Sequence, residues 1–119
     1  ELEYLKAVEL IRSAQRQPDT HLKVETYLGA IEALRKSSMQ AENDAQITQA
    51  LKQRDVLLKV LPEMIISNSQ MTILALQQSG QQVTDENRKQ LQLQLNFARK
   101  HAVSDEQLQK IESLLNILK

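Results

Sequence analysis

Cysteine and tryptophan are missing from this chain of 119 residues, aromatics make up 3% of it, and glycine and proline occur twice each. Without cysteine there is no structural disulfide and no thiol nucleophile. That suits an intracellular protein, cytoplasmic or nuclear. Gly29 and Gly80 stand alone, so no glycine-rich phosphate loop can be built. The same scarcity removes the turn punctuation that an all-β fold requires. So few aromatic rings leave almost no stacking platform for single-stranded nucleic acid.

Charge of one sign is lacking as well. Lys+Arg and Asp+Glu number 15 each and are interleaved along the chain. This pattern argues against the basic face of a nucleic-acid binder and against a polybasic membrane surface. No apolar run approaches the roughly 18 residues that suggest a membrane span. The opening ELEYLKAVEL has neither the charge nor the cleavage pattern of a secretory signal. With no initiator Met and a start inside helical sequence, the chain is expected to be a piece of a longer protein.

Ala, Leu, Gln, Glu and Lys dominate instead, all strong helix formers. The expected fold is all-α, a helical bundle of five to six antiparallel helices. It is expected to form one domain over residues 1–119, with 1–66 as a three-helix part and 67–119 as a helical extension or a second, degenerate bundle.

The stretch from Asp44 to Ile66 organises that expectation. Its first half is amphipathic, whereas Val56, Leu57, Leu58, Val60, Leu61, Met64, Ile65 and Ile66 leave the second half apolar almost all the way round. Helices of that kind sit in the middle of a bundle. Ile47, Ala50, Leu51, Leu58, Leu61 and Ile65 form one stripe; Val56, Val60 and Met64 form another. The second stripe is expected to be covered as core, the alternative being a groove for an amphipathic helix. Pro62 removes a backbone donor and crowds the carbonyl of Leu58, which favours a kink, or a new helix at Glu63, over an undisturbed rod.

Around this stretch the helical period recurs. Tyr4, Ala7, Val8, Ile11 and Ala14 mark a first helix over 2–17, ended at Gln17-Pro18. Val24, Tyr27, Leu28, Ile31 and Leu34 mark a second over 22–40, with Asp19 or Thr20 as its cap and Gly29 inside it. Gly29 reads either as a close helix approach or as a tolerated glycine. Asn43 or Asp44 caps the third helix, and Met71–Gln78 continues helically to a stop at Gly80. Thr84 with Asp85 and Glu86 starts the next helix, which runs to about His101. Leu91, Leu93, Leu95 and Phe97 alternate as in a strand, but the flanking caps and the Gln, Arg and Lys content favour helix. Ser104 and Gln107 match a capping box, with Val103 and Leu108 at the staple positions; Leu108, Ile111, Leu114, Leu115 and Leu118 form the last stripe.

No catalytic constellation emerges. The two imidazoles, His21 and His101, lie at helix boundaries far apart in the chain. Glu-x-x-His pairs are missing, so no metal or other cofactor is expected. The carboxylate pairs Glu1/Glu3, Glu42/Asp44 and Asp85/Glu86 sit at termini and caps. The expectation is a non-enzyme whose hydrophobic helix surface binds another protein.

The first three segments carry a more particular pattern: Ala7-Val8-Glu9-Leu10-Ile11 with Ala14, Tyr27-x-x-Ala30-Ile31 with Leu34, and Ile47 with Leu51, Arg54 and Asp55. Over Tyr4 to Ile65 this resembles the MIT (microtubule-interacting and trafficking) domain, a three-helix module of endosomal sorting and autophagy proteins. The resemblance implies an adaptor role in membrane trafficking or autophagy, with capture of short helical tail motifs of ESCRT-III-like partners. The implied groove lies between the second and third helices or between the first and third, and Leu34, Leu51, Arg54, Asp55 and Leu58 are the partner-binding candidates. Two alternatives stand beside it: a helical scaffold of a transcription or RNA-processing factor that binds disordered motifs at an inter-helix loop, and a structural dimerisation domain forming a homo-oligomer.

Overall fold

The computed structural model describes residues 2–119 and is all-helical: α1 (Leu2–Arg16), α2 (Thr20–Gln40), α3 (Asp44–Gln78), α4 (Asp85–Lys100) and α5 (Asp105–Ile117), with no strand among the described residues. The alternating stretch 91–97 lies within α4. None of the five helices is long and apolar enough to cross a membrane.

Local chemistry accounts for the boundaries. Asp19 caps α2 by accepting from the Leu22 amide at 3.0 Å, and Thr84 caps α4 by accepting from Asn87 N at 3.1 Å. Asn43 caps α3 through the Gln46 amide at 2.9 Å, and Gln46 Oε1 in turn accepts from the Glu42 amide at 3.0 Å. The start of α5 repeats this arrangement. Ser104 Oγ accepts from Gln107 N at 3.2 Å, while Gln107 Oε1 accepts from Val103 N at 2.9 Å. In both boxes the glutamine therefore satisfies the amide one residue before the cap. The staple is loose, because Val103 stays exposed.

The end of α3 is a Schellman motif. Gln81 N donates to Leu76 O at 3.0 Å and Gly80 N to Gln77 O at 3.2 Å, with Gly80 at φ +73°.

Pro62 does not break the chain into two helices: α3 runs through it for 35 residues, which gives five helices and not six. A proline inside a helix costs about 3 kcal/mol. Against that, Leu61, Ile65 and Ile66 in the same turns are fully buried. Each such side chain contributes roughly 1.5–3 kcal/mol on removal from water. Tertiary burial thus outweighs the local defect.

The chain divides into two compact units, Glu1–Leu58 and Lys59–Lys119. In the first, α1 and α2 pack against each other. Its core holds Ala7, Ala14, Val24, Tyr27, Ala30, Ala33 and Leu34, together with Ala50 and Leu57 of α3. Alanine supplies most of these positions, so the unit buries little apolar area per residue. The second unit holds larger side chains, among them Leu61, Ile65, Ile66, Leu91, Leu95, Ile111 and Leu118. Here α4 packs on α5, tied by Arg99 Nη1 to Glu112 Oε1 at 3.2 Å, while Gln107 Nε2 donates to Glu63 Oε2 on α3 at 3.1 Å.

The second apolar stripe of α3 departs from expectation. Val56 and Val60 are 54% and 42% exposed, and only Met64 is half-buried. Val56 and Val60 share their arc of α3 with exposed Met71 and Leu74, whereas Leu57, Leu61, Ile65 and Ile66 on the remaining arcs are buried.

Candidate functional site

Four of the five candidate residues share one face of α3 within the first unit. Leu51, Arg54, Asp55 and Leu58 follow one another at i, i+3, i+4 and i+7, which sets them in line along a helix. Leu51 and Leu58 are half-buried at the two ends of this face. Between them Arg54 Nη2 donates to Asp55 Oδ1 at 3.2 Å. The side chains of this pair are 36% and 59% exposed, and an ion pair so placed contributes little to stability. Arg54 Nε is buried without a hydrogen-bond acceptor, so only the outer part of the guanidinium faces solvent.

Leu34 is apart from these four. It lies on α2 at 1% exposure, inside the core of the first unit. The helical stripe that pointed to it in the sequence is the signature of a core position, and periodicity does not separate core from groove wall. Exposed Val56 extends the apolar surface of α3 onto a different arc, away from Leu51 and Leu58.

Several ionisable residues elsewhere form pairs along their own helix. His21 Nε2 lies 3.9 Å from Glu25 Oε1 one turn on along α2. His101 is the C-cap of α4, its backbone N–H on Ala98 O at 3.2 Å and its ring 4.7 Å from that of Phe97. Glu32 and Arg35 form a two-pronged pair, Nη2 to Oε1 at 2.6 Å and Nε to Oε2 at 3.0 Å. Hydrogen bonding from Arg35, opposed in part by burial and aided by the charges of Arg35 and Lys36, lowers the Glu32 pKa; the same bond raises that of Arg35. Among the described residues, no group of three or more His, Asp or Glu is placed to hold a metal ion.

The surface also carries recesses, among them one in each unit. One, in the first unit, is lined by Glu9, Arg12, Arg16 and Pro18, with Arg12 Nη1 3.6 Å from Glu9 Oε1. The other is a groove of ≈ 370 Å³ in the second unit, with Ile73 and Leu118 as its floor and Ile117 and Arg88 at its rim. The rim cation is already engaged, Arg88 Nη1 donating to Asp85 Oδ1 at 2.9 Å.

No family model, curated protein or solved structure matches the chain.

Proposed function

We propose that the first unit is a non-catalytic protein-interaction module that captures a short amphipathic segment of a partner on the α3 face of Leu51, Arg54, Asp55 and Leu58. One observation carries the reading: two half-buried leucines bracket a partly exposed polar pair, all on one helix face. The leucines accept the apolar side of a docked helix, and the pair sets its register through hydrogen bonds that the apolar contacts alone do not specify. Leu34 acts from behind, as part of the core on which this face is held. The MIT resemblance supports the same reading and names the partner class, the helical tail motifs of ESCRT-III-like proteins, in membrane trafficking or autophagy.

The test is NMR titration of the 119-residue chain with helical tail peptides of that class. The expected result is shift changes concentrated at residues 47–58, lost in Leu51→Asp/Leu58→Asp. A titration in which residues 47–58 do not move overturns the reading. Shifts confined to the 79–84 connection would favour a scaffold that binds disordered motifs at a loop.

A further inference from the structure

We draw no further inference here: the strongest candidate, the exposed apolar stripe of Val60, Met71 and Leu74 on the outer arc of α3 in the second unit, is an unpartnered helix face, and nothing in the structure shows what covers it.

Discussion

Asn68 Nδ2 donates to Gln94 Oε1 at 3.3 Å in the interior of the second unit, joining α3 to α4 where both residues are buried. An apolar core admits two carboxamides only where their polar atoms are satisfied, and this bond is one of the contacts that do so; a buried polar group without a partner costs about 1–3 kcal/mol. Between two helices, such a pair also selects one register over its neighbours, because a shift by a turn separates the two groups.

Gln94→Leu is therefore expected to destabilise the protein by about 1 kcal/mol, the net worth of the hydrogen bond that it removes from Asn68 Nδ2. Adding Asn68→Leu is expected to recover part of that loss. Urea unfolding of the two single variants and the double variant supplies the cycle. Strictly additive costs would show that the two amides do not depend on each other.

The two glycines are expected to respond to alanine with opposite signs. A Cβ on Gly29 meets only Leu10 Cδ1, at 3.8 Å, which is ordinary contact, so no close helix approach requires glycine there. Gly29→Ala should stabilise by about 0.4–1 kcal/mol through helix propensity and a less disordered unfolded chain. Gly80 faces open space, yet its φ of +73° is left-handed. Gly80→Ala should cost roughly 1 kcal/mol of backbone strain. Denaturation midpoints moving the same way for both would contradict this account.

Pro62→Ala tests whether burial or backbone bonding dominates in the middle of α3. The variant returns an amide donor to the Leu58 carbonyl and relieves a defect of about 3 kcal/mol. It also deletes two ring methylenes from a fully buried site, at about 0.8 kcal/mol each. The expected net effect is stabilisation by about 1 kcal/mol, read as a higher urea midpoint at unchanged slope. A lower midpoint would mean that the ring is worth more as core than it costs as a helix residue.

Glu32 should titrate below the ordinary glutamate range because Arg35 hydrogen-bonds its carboxylate. Since its folded-state pKa is the lower one, the contribution to stability is present above the unfolded-state value and is lost as pH falls through the folded-state value. A carboxyl-detected NMR titration of wild type against Arg35→Gln checks the cause, with the variant's midpoint expected to move up. If the midpoint stays where it was, Arg35 is not responsible.

Much of the fold was legible because the relevant physics is local. Helix content follows from composition, and the start of α5 could be read residue by residue because Ser104 and Gln107 satisfy neighbouring amides within their own turn. Gly80 marked the end of α3 for the same reason: only glycine adopts that φ without strain. The line of Leu51, Arg54, Asp55 and Leu58 was likewise fixed by the helical period alone.

Tertiary structure decided what periodicity could not reach. Pro62 reads locally as a kink or a break, and α3 continues through it with Leu61, Ile65 and Ile66 buried around it. Val56, Val60 and Leu34 are equally apolar in the sequence, yet Leu34 lies in the core while the valines face solvent. Ala33, which the apolar stripe of the second helix did not include, is core. Asn68 and Gln94 were silent among many polar residues, because their role depends on a contact 26 positions apart in the chain. Local bonding thus set where helices begin and end, and packing chose which of their faces were taken from water.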